Sequence, residues 1–300
     1  MNGIELSRAY FFDWGLPWIQ EYYPMLVTRV AAGVFRGSQV FGADDGLSQD
    51  HGWGPEFLLL LCEDDFAAYG EELSADMLAA EPREWLGYRY RYPDHGITIT
   101  SIDRYVTRWI GWPHPSAEDA DWLMGNLDQR EFELYLLRHG VLHYDPLGEF
   151  SARRLEFHQY PEAMHLRRVR HHAFDVWHYG QYNFLDRLRH RQDPIAMQMA
   201  LGHFSEAVMR LCLLLEHDFA PYWKWLAFEF RKRVIGEVIA SKLCALAGTL
   251  DIEARCALIS DISDAMHVQL QSHGLAFEGQ AFHPHSLFCD MSGGPLKEYK

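Results

Sequence analysis

A Gly-Ser pair followed by a lone aspartate is the part of this chain whose residue types and spacing suggest chemistry. Gly37-Ser38 is followed twelve residues later by Asp50. A glycine turn lets the chain pass close to a phosphate group and offers backbone N–H groups and a hydroxyl. Mg²⁺ takes oxygen ligands and is commonly held by one or two carboxylates together with the phosphates of the substrate. The pattern therefore predicts a site for an NTP and Mg²⁺, in which a nucleotidyl group is transferred.

The same segment lacks a second carboxylate. We expect the strand after the turn to carry Asp50, with residue 52 on the same face because side chains alternate along a strand. Residue 52 is a glycine, so a clamp of two carboxylates is incomplete. Asp44 and Asp45, in the connecting loop, either approach the metal in place of the missing carboxylate or form a solvated pair.

Motifs along nearly the whole chain point in the same direction. They are Glu5-Leu6-Ser7-Arg8, Gly37-Ser38, Phe41-Gly42-Ala43-Asp44-Asp45, Ser48-Gln49-Asp50-His51-Gly52-Trp53-Gly54-Pro55, Tyr144-Asp145-Pro146, Gly180-Gln181-Tyr182-Asn183 and Pro221-Tyr222-Trp223-Lys224-Trp225. In this combination the chain resembles an uncharacterised bacterial family of DNA polymerase β-type nucleotidyltransferase-like proteins. The family pattern has an aspartate where this chain has Gly52. The resemblance implies a nucleotidyltransferase-fold domain followed by a helical bundle.

The resemblance also implies roles for carboxylates. Asp50 would be a metal ligand. Asp103, at the end of the predicted strand 97–103, would be a further carboxylate that acts as a ligand or general base. An ion pair between Asp103 and Arg104, or a helix cap at Asp103, is an equal alternative. His51 is expected to be structural rather than a base.

Three residues of the second half would face the nucleotide or the acceptor. The resemblance implies that Lys224 brings a positive charge to the triphosphate. The alternative is a surface lysine whose stem lies along apolar side chains. Gln181 and Asn183 interrupt a helical pattern with polar groups, which would contact the nucleotide or else satisfy hydrogen bonds at a helix end.

Composition limits the function classes. The chain has 300 residues, enough for two domains, and a net charge of −15, which argues against a general nucleic-acid surface. No apolar stretch approaches the length of a membrane span. The five cysteines are scattered without a CxxC pair and are expected to be reduced thiols of a cytoplasmic protein.

Periodicity predicts an α+β chain. Strands at 27–34, 54–62, 97–103 and 141–144, with helices between them, predict a small mixed-sheet domain over residues 1–160. Apolar positions at three- and four-residue spacing predict four helices, 162–189, 194–216, 221–247 and 251–272. These predict a bundle domain over residues 161–300, with an irregular tail after Gly274.

A histidine cluster suggests a rival function. His171, Asp175 and His178 share one face of a predicted helix, and His165 and His172 lie nearby, so the spacing suits a transition metal and a hydrolase. Seventeen histidines make chance clusters common, and the neighbouring arginines 167, 168 and 170 oppose a cation. We rank this metal-dependent hydrolase below the two functions that the Gly-Ser turn supports, a nucleotidyltransferase and a nucleotide-binding protein.

Two functions remain in view at the turn. The first is an Mg²⁺-dependent enzyme that moves a nucleoside monophosphate from an NTP to a hydroxyl of a small molecule or protein. The second is a binding protein that keeps the nucleotide pocket and has lost turnover with the second carboxylate. Gly52 is the residue that separates them. The expected partners are a nucleotide and an acceptor that the sequence does not name, and no membrane is involved.

Overall fold

Two fully buried antiparallel strands organise the first half of the computed structural model. Every residue of β1 (Val30–Val34) and of β2 (Phe57–Leu61) is buried. The two strands pair so that Gly33 lies opposite Leu58. Because they run in opposite directions, the residues that leave β1 and the residues that enter β2 meet at one end of the sheet.

Two further strands complete the sheet in the order β3-β2-β1-β4. β3 (Ile97–Ser101) runs parallel to β2, and β4 (Val141–Tyr144) runs antiparallel to β1. The predicted small mixed sheet is confirmed, as is the α+β class. Both central strands are buried on both faces, which explains their continuous apolar sequence.

The structure describes residues 1–50, 52–90 and 95–275. The chain divides into two compact units, Met1–His158 and Gln159–Lys300. This division falls two residues before the domain boundary predicted between residues 160 and 161. His51, the tail beyond residue 275 and Cys289 lie outside the described residues.

Helices surround the sheet of the first unit. They are α1 (Gly3–Tyr10), α2 (Leu16–Tyr22), α3 (Glu63–Ala80), α4 (Ile102–Ile110), α5 (Asp119–Trp122), α6 (Leu127–His139) and α7 (Glu149–Glu156), with short 3₁₀ turns at Pro24–Leu26 and Ser38–Phe41. A π-helical turn, Phe11–Gly15, joins α1 to α2. There the rings of Tyr10 and Phe11 pack on Phe57, with centroids 5.5 and 5.4 Å apart, so the first helix is fixed to β2.

Two expectations about strand ends are wrong. Asp50 and Gly52 lie in irregular backbone before β2, so they do not share a strand face. Gly52 has a positive φ of 57°, a left-handed conformation that strands exclude. β3 ends at Ser101, whose side chain caps α4 by accepting from the N–H of Arg104, and Asp103 therefore lies in the first turn of that helix.

The described part of the second unit is all helical. Its elements are α8 (Glu162–Asp175), a π-helical segment (Val176–Leu188), α9 (Arg189–Arg191), α10 (Pro194–Leu215), α11 (Trp223–Phe230), α12 (Val234–Gly248) and α13 (Ile252–Ser272). The predicted helix 162–189 thus changes to π-helical geometry at Val176. The predicted helix 221–247 is two helices. No described helix is both long and apolar enough to cross a membrane.

The π-helical segment is the most closely packed neighbour of α10. Gly180 is buried there, and a Cβ at this residue would lie 2.7 Å from the ring of Phe204 and 3.1 Å from Ile259 Cγ2. Phe204 and Ile259 are fully buried. The glycine is therefore required by the close approach of the segment to the core of the second unit.

Replacing Gly180 tests this packing. Gly180→Ala is expected to lower the free energy of unfolding by about 1–3 kcal/mol, because the new methyl group overlaps the Phe204 ring. The matched control is Gly202→Ala in α10, where a Cβ has no atom within 4 Å. The control should raise stability by about 0.5–1 kcal/mol through helix propensity. Urea denaturation of both variants measures the difference; equal effects in the two would contradict the packing argument.

Candidate functional site

The Gly-Ser turn stands directly beyond the end of β1. Gly37 has φ 88°, which favours glycine. A Cβ at Gly37 would also lie 2.5 Å from Oε1 and 2.6 Å from Nε2 of Gln39. Glycine is thus required twice, by its backbone conformation and by the amide packed against it. Ser38 opens a 3₁₀ turn that returns the chain toward β2.

A half-buried carboxyl contacts this turn from the entry to β2. Gln39, which is 2% exposed, donates from Nε2 to Glu56 Oε1. Glu56 also hydrogen-bonds Tyr90, and burial raises the pKa of Glu56 to about 8. Sequence reasoning missed Glu56. The sequence feature that could have indicated Glu56 is its place directly before the apolar run of β2, at the end of β2 that faces the turn.

The loop between the turn and β2 is held by its own acidic residues. Asp44 accepts from the backbone N–H of Gly3, at 2.5 Å, and from Trp53 Nε1, at 3.2 Å. Asp45 Oδ1 accepts from the backbone N–H of Leu47 and of Ser48, at 3.1 and 3.0 Å. These contacts give both carboxylates a structural role in folding the loop, beside any role toward a metal.

Asp50 lies outside a strand, in a loop that contacts the turn through Ser48. Ser38 Oγ donates to the backbone oxygen of Ser48 at 3.4 Å. Asp50 is two residues further along, so its Cα is at most about 7.6 Å from that of Ser48. Asp50 is exposed. Gly52, two residues after Asp50, is surrounded by open space, since a Cβ there would have no atom within 4 Å.

Asp103 is not at the turn. β2 and β3 run parallel, with Leu61 beside Ser101, so Asp103 follows the end of the sheet opposite to the one where β2 begins. The five residues of β2 span about 13 Å. Asp103 accepts from Arg153 Nη1 at 2.6 Å, whereas Arg104 pairs with Glu63. The expectation that Asp103 shares a metal with Asp50 assumed that the strand continued to residue 103, and the end of β3 at Ser101 removes that argument for it.

The three candidates of the second half belong to the second unit. Lys224 is exposed in the first turn of α11, with Nζ 4.9 Å from the centroid of the Trp225 ring. Asn183 Nδ2 donates to the backbone oxygen of His178 at 2.8 Å, within the π-helical segment, and Gln181 is half-buried there. The contacts of Asn183 fit the alternative of local hydrogen bonding. The predicted roles of these residues toward a nucleotide stay predictions.

The turn offers donors of the kind that Mg²⁺ prefers. Asp50 and Glu56 supply carboxyl oxygens, and Ser38 supplies a hydroxyl. Among the described residues, one group of at least three His, Cys, Asp or Glu side chains is close enough together to hold a metal ion. That group is in the second unit and not at the turn. A metal at the turn would therefore depend on one or two carboxylates and on phosphate oxygens brought by the nucleotide.

Part of this chain matches a known protein family. Residues 127–226 match a family described as a domain of unknown function, DUF4037. The match agrees with the predicted resemblance to an uncharacterised family, and it contains the Tyr144, Gly180 and Pro221 motifs but not the Gly-Ser turn.

Structural similarity beyond the DUF4037 stretch is distant. The crystal structure of a nucleotidyltransferase-like protein from Exiguobacterium sibiricum 255-15 is similar to this chain with a TM-score of 0.39 and 10% sequence identity, over 87% of this chain and 77% of that chain. A likeness at this distance says nothing about the reaction. No curated protein matches the sequence.

The raised pKa of Glu56 predicts how its substitution changes stability with pH. Between its ordinary value of 4.5 and about 8, the unfolded chain loses this proton while the folded chain keeps it. Glu56 therefore stabilises the fold below pH 4.5, and this contribution is lost as the pH rises toward 8, by at most about 1.4 kcal/mol per pH unit.

The variant Glu56→Gln cannot lose the proton. Its free energy of unfolding, relative to that of the unmodified protein, is expected to rise from pH 5 to pH 8. Urea denaturation at several pH values measures this difference. Glu71→Gln, on the exposed surface of α3, is the matched control and should show a much smaller trend. A flat difference for Glu56→Gln would mean that this carboxyl ionises as freely in the folded chain as in the unfolded one.

Proposed function

We propose that this chain is an Mg²⁺-dependent nucleotidyltransferase that moves a nucleoside monophosphate from an NTP to a hydroxyl of a small molecule or protein. The observation that carries the proposal is the meeting of the Gly37-Ser38 turn, the Asp50 loop and Glu56 at one end of the sheet. Phosphate binding needs a glycine turn, and metal binding needs carboxylates beside it.

Each residue of this site has a stated role. Gly37 allows close approach of the triphosphate, and the backbone N–H groups and hydroxyl of Ser38 bind its oxygens. Asp50 binds the metal from the loop, and Glu56 supplies the second carboxyl in place of residue 52. Gln39 holds Glu56 against the turn. Mg²⁺, when bound, neutralises the phosphate charge and orients the phosphates for transfer.

One observation favours the alternative, a nucleotide-binding protein without turnover. A Glu56 carboxyl with a pKa of about 8 is mostly protonated at neutral pH, and a protonated carboxyl is a poor metal ligand. With glycine at residue 52, the turn then lacks a second carboxylate suited to bind the metal. Both functions require nucleotide binding at the turn, and turnover distinguishes them.

Substituting Asp50 tests the metal assignment. In a thermal-shift screen, at least one NTP should raise the melting temperature only when Mg²⁺ is present. Asp50→Asn should remove that Mg²⁺-dependent shift, with a loss of affinity of about tenfold or more, while the melting temperature without ligand stays the same. The residue is exposed, so its exchange costs little stability.

Asp103→Asn is the matched control, because it removes a carboxylate at the other end of the sheet. It should keep the Mg²⁺-dependent shift and lose about 1 kcal/mol or less from its part-exposed pair with Arg153. If Asp103→Asn weakened nucleotide binding as much as Asp50→Asn, the site would not be at the turn.

Gly52→Asp tests the gap directly. Open space surrounds residue 52, and aspartate tolerates its left-handed backbone better than most residues. The new carboxylate is expected to change Mg²⁺-nucleotide binding in isothermal titration: it should strengthen binding if the turn lacks a second metal ligand, and weaken it if Glu56 already fills that place. Gly52→Asn has the same shape without the charge and should do neither. Identical behaviour of Gly52→Asp, Gly52→Asn and the unmodified protein would show that residue 52 does not adjoin a metal.

A further inference from the structure

Three potential metal ligands converge at the end of α8, in the second unit. They are His171, His172 and Asp175, whose ligand atoms all lie within 4.8 Å of one another. His171 Nε2 is 3.5 Å from Asp175 Oδ2. The two histidines stand four and three residues before the aspartate, and helical neighbours at these spacings lie on one face.

His172 makes this group more than a chance cluster. Its side chain is 4% exposed, and neither Nδ1 nor Nε2 has a hydrogen-bond partner among the described residues. A buried polar group without a partner costs free energy, and in native proteins such groups are uncommon and call for an explanation. A ligand that binds the ring nitrogen would remove this cost.

The group is open on one side. The side chains of His171 and Asp175 are 37% and 21% exposed, so an ion can reach them from solvent while His172 forms the inner wall. His178 does not belong to it. The backbone becomes π-helical at Val176, and His178 Nε2 lies 3.1 Å from Asn183 Nδ2.

We propose that His171, His172 and Asp175 bind one divalent transition metal ion of the Zn²⁺ type, with the remaining coordination positions open to water or a small ligand. Two imidazoles and one carboxylate form a donor set that suits Zn²⁺ or Fe²⁺, whereas Mg²⁺ prefers oxygen donors alone. The site does not depend on nucleotide binding at the Gly-Ser turn.

Charge is the main argument against a cation. The positive charges of Arg168 and Arg210 act on His172. Arg210 is paired with Glu206 at 3.0 Å, and Asp175 adds a negative charge within the group itself. The rival occupant is an anion such as phosphate held by the two arginines, and the experiment includes it.

The test uses the full chain without an affinity tag, dialysed against a chelator and then against buffer. Isothermal titration with Zn²⁺ should give one high-affinity site per chain, and Co²⁺ should give visible absorption bands from nitrogen and oxygen ligation. Asp175→Asn and His171→Gln should each lower the affinity about tenfold or more. His178→Gln, on the same helix, should leave it unchanged. Far-UV circular dichroism confirms that each variant is folded.

Other outcomes overturn the proposal. Equal affinity in Asp175→Asn, His171→Gln and the unmodified protein would place the metal on other histidines. A loss in His178→Gln as large as in Asp175→Asn would mean a different ligand set. A failure to bind Zn²⁺ would exclude the metal. Stabilisation by inorganic phosphate in its place would assign the group to an anion.

Discussion

The antiparallel pairing of β1 with β2 is the constraint on which the first unit depends. Both strands are buried along their whole length, so a shift of register would expose apolar side chains and is strongly opposed. The pairing brings the residues after β1 next to the residues before β2. The parallel pairing of β2 with β3 sends the residues after β3 to the opposite end. Strand direction thus places the Gly-Ser turn and Glu56 at one end of the sheet and Asp103 at the other.

Both candidate sites contain a buried polar group whose bonding is incomplete. Gln39 Oε1 and both ring nitrogens of His172 have no hydrogen-bond partner among the described residues. In the first unit this group lies beside a carboxyl that burial keeps protonated to unusually high pH. In the second it lies beside a carboxylate and another imidazole. Such groups are costly in the interior, because nothing replaces the hydrogen bonds that they would make with water.

Local sequence predicted the fold well where the signal was a continuous pattern. The apolar run before Cys62 and the Val141–Tyr144 strand are where they were expected, and so are the long helices α10 and α13. The site was predicted only in part. Gly37 and Ser38 carried a recognisable turn, but the position of Asp103 depended on where one strand ended, and Ser101 caps a helix there.

Two other features had little local signal. Glu56 is a single carboxyl, and its importance comes from contacts with Gln39 and with Tyr90, which are distant in sequence. The π-helical segment from Val176 has the same apolar spacing as an α-helix to a first approximation. Its geometry follows from the way Gly180 packs on α10, which is a tertiary contact. The periodicity of apolar residues therefore reveals neither the contacts of Glu56 nor the π-helical geometry.

The change of helical geometry at Val176 also affects how an insertion or a deletion would act on the second unit. A π-helical stretch holds extra residues per turn, so it accommodates an insertion without breaking the helix. Loss of one residue directly after Val176 would rotate every later side chain of this helix about its axis relative to α8. Residues 171–175 would keep their mutual positions, whereas His178, Tyr182 and Asn183 would face new neighbours. Such a loss would also move Gly180 away from Phe204, so it would disturb the packing of the segment on α10 while leaving the 171–175 group intact.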